Sequence, residues 1–92
     1  MQNIIRKHMV FHGAVQGVGF RYRARHAASA VGATGWVRNE YDGSVTMELQ
    51  GTEAQIDAVV EMIARGTFVD IEWMDARTVP VEAEERDFRT DW

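Results

Sequence analysis

Two short apolar stripes constrain this chain more than anything else in it. Ala24, Ala27, Ala28 and Val31 stand at i, i+3, i+4 and i+7, and so do Ile56, Val59, Val60 and Ile63. Each stripe is one face of a helix and no more, so each helix must lie against something else. Strand-like runs supply it. MVFHGAV precedes the first stripe, TGWVRNE and SVTMELQ lie between the two, and FVDIEWMDARTV follows the second. Asp42-Gly43 between the middle runs is a tight-turn signal, because glycine takes the positive φ a hairpin needs. Gly32 stops the first helix. Thr52 with Gln55 has the spacing of a capping box, and Gly66 closes the second helix. Val69, Ile71 and Trp73 alternate with Asp70 and Glu72, which puts them on one face of a strand. Pro80 ends that strand, Glu82 to Asp87 reads as a solvated polar connection, and DFRTDW reads as a short edge strand. The order is β-α-β, hairpin, β-α-β. It predicts an α+β, ferredoxin-like split βαβ sandwich, an antiparallel sheet covered on one face by two helices.

Ninety-two residues with 46% apolar and 26% charged side chains fit one core, so residues 1–92 are expected to be a single domain. With no cysteine, disulfides, thiolate nucleophiles and cysteine-based zinc sites are excluded. MQNIIRKHMVF is interrupted by Arg6, Lys7 and His8 and does not read as a signal peptide, and no apolar run reaches membrane-spanning length. A cytoplasmic protein without a membrane partner is expected. The net charge of −4 is unevenly spread. Residues 1–46 carry six Arg/Lys against two acids, and residues 47–92 carry four against twelve. This fits either a solvated acidic face in the second half or a small anion site in the first. The positive excess is too small for a nucleic-acid footprint, so no nucleic-acid partner is expected.

The stretch GAVQGVGFRYR, residues 13–23, is where an anion site would form. A loop that wraps backbone N–H groups around an anion needs small residues and unusual φ/ψ, which Gly17 and Gly19 supply. A helix starting near Arg21 aims unpaired N–H groups and a partial positive charge at the same place. Arg21 adds a guanidinium whose fork matches phosphate or carboxylate oxygens. Glycine spacing alone fits a plain strand-to-helix turn equally well. VQGVGF lacks the lysine of a Walker loop and does not fit GxGxxG. Asn39 ends GWVRN. A split βαβ unit could return that strand beside the crossover helix and bring the Asn39 amide near Arg21, where it could hold a water. Arg38 should face the opposite side. His8, His12 and His26 read as structural or solvated, Arg23 and Arg25 as exposed helix residues, and Trp36, Trp73 and Trp92 as core or edge packing.

VQGVGFR (15–21) and GWVRN (35–39), followed by DGSV (42–45) and Gly51, resemble the acylphosphatase family. The paired motifs stand in the family's order, one helix apart, and Phe88 resembles its late aromatic strand position. The resemblance implies the ferredoxin-like fold and hydrolysis of acyl phosphates to a carboxylate and inorganic phosphate. It implies that Arg21 and the amides of Gln16, Gly17, Val18, Gly19 and Phe20 bind the phosphoryl group, and that Asn39 positions the attacking water. It implies no metal, no cofactor and no phosphoenzyme, and a monomer acting on a small-molecule acyl phosphate. A family basic position is Ala14 here, and a family Gly-Pro turn is replaced by Gly66-Thr67-Phe68. Two other readings stand beside the enzyme. GVGFRYR loosely echoes an RNA-recognition strand, and an anion site without turnover would make a carboxyl-phosphate-binding domain. Fold alone decides neither.

Overall fold

The computed structural model describes residues 3–91. Its elements are β1 (Ile5–Ala14), α1 (Phe20–Val31), β2 (Thr34–Asn39), β3 (Val45–Gly51), α2 (Glu53–Ala64), β4 (Asp70–Val79) and β5 (Phe88–Asp91). The sheet order is β4-β1-β3-β2-β5. Strand β3 runs antiparallel to both β1 and β2, which therefore point the same way although they are not neighbours. This is the split βαβ arrangement expected from the sequence.

Register assigns the two faces. Lys7, Met9 and Phe11 of β1 pair with Leu49, Met47 and Val45 of β3, on the face covered by the helices. Arg6, His8 and Val10 pair with Gln50, Glu48 and Thr46, on the other face. The core lies under the helices: Met9, Phe11, Val37, Met47 and Leu49 from the strands, Ala24, Ala27 and Ala28 from α1, and Ile56, Val59 and Ile63 from α2. The alanines of α1 let that helix approach the sheet closely, and its Phe20 meets Phe11 at 5.0 Å between ring centroids. Val31 and Val60 complete the stripes at the core's margin. The Thr52–Gln55 capping box is formed, and the Gln55 Nε2 also donates to the Val31 carbonyl, joining the end of α1 to the start of α2.

Four expectations need correction. The sheet is mixed, not purely antiparallel, because β5 pairs with β2 in parallel. Strand β4, at one edge, finishes at the same end of the sheet at which β2 begins, and the segment 80–87 crosses to β2 there, so β5 starts at that end and runs alongside it. That segment is not simply a solvated surface. Arg6 projects from the uncovered face and is only 2% exposed. It donates to Glu85 at 2.7 Å and to Glu48 at 2.7 Å, while Gln50 holds the Glu82 carbonyl and amide. The crossing chain covers a buried cation and satisfies it. Ile71 and Trp73 do not share a face. The register between β1 and β4 shifts at His12/Gly13, placing one extra residue in β4. Ile71 therefore packs on the core while Trp73, 54% exposed, stacks on His12 at 3.7 Å on the open face. Arg23 is half-buried, not exposed, and donates through Nε and Nη2 to the Met62 carbonyl, tying α1 to α2. Trp92 lies outside the described residues.

Candidate active site

The loop between β1 and α1 folds as its glycines require. Gly17 has φ +72 and Gly19 φ +85, both left-handed, and an added Cβ at either would meet nothing within 4 Å. The space is open; the backbone conformation is what excludes other residues, since a Cβ there costs about 1–2 kcal/mol. Gly19 is the N-cap of α1 and no side chain caps that end. The first-turn N–H groups of α1 thus face the loop with their partial positive charge, and no acidic residue lies in that turn to neutralise it.

The Gln16 side chain fixes the loop to the neighbouring hairpin. Its Nε2 donates to the Glu40 carbonyl at 2.6 Å and to the Ser44 carbonyl at 2.9 Å. The hairpin is itself braced. Asp42 accepts from the Ser44 hydroxyl and amide, and these bonds hold its carboxyl below the usual range. Glu40 is likewise lowered, first by the Thr46 hydroxyl and then, against burial, by Arg38. Asn39 is the last residue of β2, immediately before this braced turn.

Asn39 pairs with Val45, and Val45 pairs with Phe11. The three lie in one row across the sheet, so Asn39 is on the helix-covered face at the end of the sheet where β1 stops and α1 starts. Gly17, Gly19, Phe20, Arg21 and Asn39 line a single cleft of about 290 Å³. Asn39 Oδ1 is buried and has no hydrogen-bond partner among the described residues. A buried carbonyl acceptor left in this way is uncommon and fits a polar group arriving in the cleft.

The cleft gathers most of the residues expected from the sequence, but not in one way. Gly17, Gly19, Phe20, Arg21 and Asn39 line it. Gln16 turns its side chain to the hairpin, and Val18 packs its side chain against the core, so each can offer only a backbone amide. The rim also carries Tyr22, Arg25 and Thr90, which sequence reasoning did not assign to the phosphate site. Thr90 lacks any local signal, because its place depends on β5 crossing to pair beside Val37. The histidines lie elsewhere. His8 meets Glu48 at 2.6 Å on the open face, His12 stacks on Trp73, and His26 packs against the Tyr22 ring at 4.3 Å. Arg38 lies with its carbon Cζ 5.0 Å over the Trp36 ring on the open face, opposite Asn39. Among the described residues no group of three or more His, Asp or Glu could hold a metal ion, and no helix is long and apolar enough to cross a membrane.

A cleft of this kind can do one thing well chemically. A left-handed glycine loop, a helix N-terminus and a guanidinium converge on it, which suits a phosphoryl dianion. The buried Asn39 Oδ1 that lines it suits a water held against that group. Residues 7–90 match the acylphosphatase family profile. The chain is 42% identical over 86 residues to an acylphosphatase of Geobacillus kaustophilus, covering 94% of this chain and 85% of that one. Its fold is similar to that of an acylphosphatase from Coxiella burnetii, with a TM-score of 0.85, 30% identity and coverage of 97% and 94%. It is also similar to part of full-length HypF in a phosphate- and nucleotide-bound form, with a TM-score of 0.87 and 28% identity, spanning all of this chain and 12% of that one. The chain belongs to the acylphosphatase family, hydrolases of acyl phosphates.

Proposed function

We propose that the chain hydrolyses the carboxyl-phosphate bond by direct attack of a water positioned by Asn39 on a phosphoryl group held by Arg21 and the amides of Gln16 to Phe20. The observation that carries this reading is the orphaned Asn39 Oδ1 in the same cleft as the loop and Arg21. One O–H of the water donates to Asn39 Oδ1, which leaves an oxygen lone pair directed at phosphorus. As the new P–O bond forms, the bond from phosphorus to the carboxyl oxygen breaks. The pair of electrons leaves with the carboxylate, and the water's proton passes to the phosphate product. A carboxylate whose acid has a pKa of about 4 departs without a general acid. That removes the need for a group titrating near neutrality, and none of the three histidines lines the cleft. What remains is placement and charge stabilisation, which Arg21, the loop amides and the helix N-terminus can supply. The products are a small carboxylate and inorganic phosphate.

The test is hydrolysis of benzoyl phosphate by the EDTA-treated protein beside Arg21→Ala and Asn39→Ala, with folding checked by circular dichroism. The expected result is turnover by the unsubstituted chain. Each folded variant should lose about 100-fold or more in kcat/KM, the scale of removing one transition-state contact. Asn39→Ala should still bind inorganic phosphate, and Arg21→Ala should not. An inert parent that binds phosphate would sink the hydrolytic reading and leave an anion-binding domain.

A further inference from the structure

The catalytic cleft does not end at Arg21. Arg25 lines it and also lines an adjoining cleft of about 430 Å³, whose other walls include Ser29, Thr34, Arg86 and Asp87. Arg25 is four residues beyond Arg21 on α1, so the two stand on one helix face about 6 Å apart along the axis. It is exposed and makes no hydrogen bond or ion pair with any described residue. In a chain of net charge −4, the two joined clefts carry Arg21, Arg25 and Arg86 against a single acid, Asp87. The exposed Tyr22 ring also lines the first cleft, beside the two helix arginines and packed on His26.

We propose that Arg25 is a specificity-determining residue that selects acyl phosphates carrying a second anionic group on the acyl side. This rests on the hydrolytic reading above. With the phosphoryl group at the loop and Arg21, the acyl half runs along α1 past Tyr22. A carboxylate three or four bonds from the reacting carbonyl then reaches the Arg25 guanidinium, about one helical turn from Arg21. Guanidinium and carboxylate pair through a planar fork. A neutral acyl tail of the same length gains nothing from that cation. The contact is made equally in the bound ground state and at the transition state, so it acts on KM rather than kcat. Because Arg25 is exposed, the preference is moderate and weakens with salt.

The experiment compares succinyl phosphate with butyryl phosphate, which match in length and differ in the terminal carboxylate. The readout is the ratio of their kcat/KM values in the unsubstituted protein, Arg25→Gln and Arg25→Lys at low ionic strength. The ratio cancels any general effect of Arg25 on the phosphoryl group. The expected result is a preference for succinyl phosphate that falls about fivefold in Arg25→Gln, through KM, and is partly restored in Arg25→Lys. The preference should also shrink in 0.5 M salt. An unchanged ratio in Arg25→Gln, with both substrates hydrolysed, overturns this inference alone. No hydrolysis of either substrate by the unsubstituted protein overturns the hydrolytic reading and this inference with it.

Discussion

Single residues decide this site by what they lack. Gly35 stands at φ +144, and a Cβ there would collide with the Glu48 carbonyl of the adjacent strand. It lies four residues before Asn39, in the strand that delivers it. Gly35→Ala should therefore cost about 4 kcal/mol, at the severe end for a point substitution, because both backbone angle and space forbid it. Urea denaturation measures this, and a loss below about 1 kcal/mol would mean that β2 can move away from β3 freely. In the loop the reason differs. Gly17 and Gly19 have room around them, and it is the left-handed backbone alone that asks for glycine. The sequence showed that these glycines matter. It did not distinguish a glycine kept for space from one kept for angle, since only the opposing strand reveals the former.

At the scale of elements, the loop and the β2–β3 hairpin act together through Gln16. Its two bonds to the Glu40 and Ser44 carbonyls span the gap between the glycine loop and the strand end that carries Asn39. The Thr52–Gln55 box braces the start of α2, and neither residue lines the cleft. The two contacts make a controlled pair. Thr52→Ala should lose about 1 kcal/mol of stability, as cap removals do, and keep its kcat for benzoyl phosphate. Gln16→Ala should lose a similar amount but, on the proposed mechanism, drop kcat about tenfold or more, because the glycine loop and the strand end that carries Asn39 are no longer held relative to each other. Thermal melts and steady-state kinetics on the same preparations separate the outcomes. Equal kcat in both variants would show that the loop keeps its place without the hairpin. The cap was legible in the sequence as a local spacing. The loop-to-hairpin tie joins residues 24 and 28 positions apart, and no local pattern announces it.

For the whole molecule, the uncovered sheet face is held by charge. Arg6 sits between Glu48 and Glu85, and His8 also meets Glu48. Burial, the largest influence on Glu48, pushes its carboxyl up, but the hydrogen bonds from His8 and Arg6 overcome it and the net shift is downward from 4.5. The folded protein thus binds that proton more weakly than the unfolded chain. The stabilisation is complete above about pH 4.5 and is lost as pH falls through the lowered folded value. Burial works against the Arg6 charge too, and the two carboxylates more than offset it, so its loss would come only in strong base. The urea midpoint should therefore be level from neutrality to about pH 5 and decline in acid. Glu48→Gln should lower the free energy of unfolding by about 2 kcal/mol at pH 7 and flatten the acid decline. An unchanged acid slope would assign the decline to other carboxylates.

Much of this protein was determined by sequence alone, wherever the information is local. Helix faces follow from 3.6-residue spacing, the hairpin from Asp42-Gly43, and the fold class from the order of these pieces. The paired motifs with Arg21 and Asn39 named the family that the comparison then established. Tertiary structure decided the rest, and each case has the same physical cause. The extra residue in β4 reverses Trp73 relative to Ile71, because a strand's faces alternate every residue and one insertion exchanges them. The acidic stretch 82–87 serves as a cover, because Arg6, some eighty positions earlier, must be neutralised where it is buried. Strand β5 brings Thr90 to the cleft only once that cover has crossed the sheet. Spacing along the chain fixes which face a residue shows; what that face meets is fixed only when distant segments share one sheet.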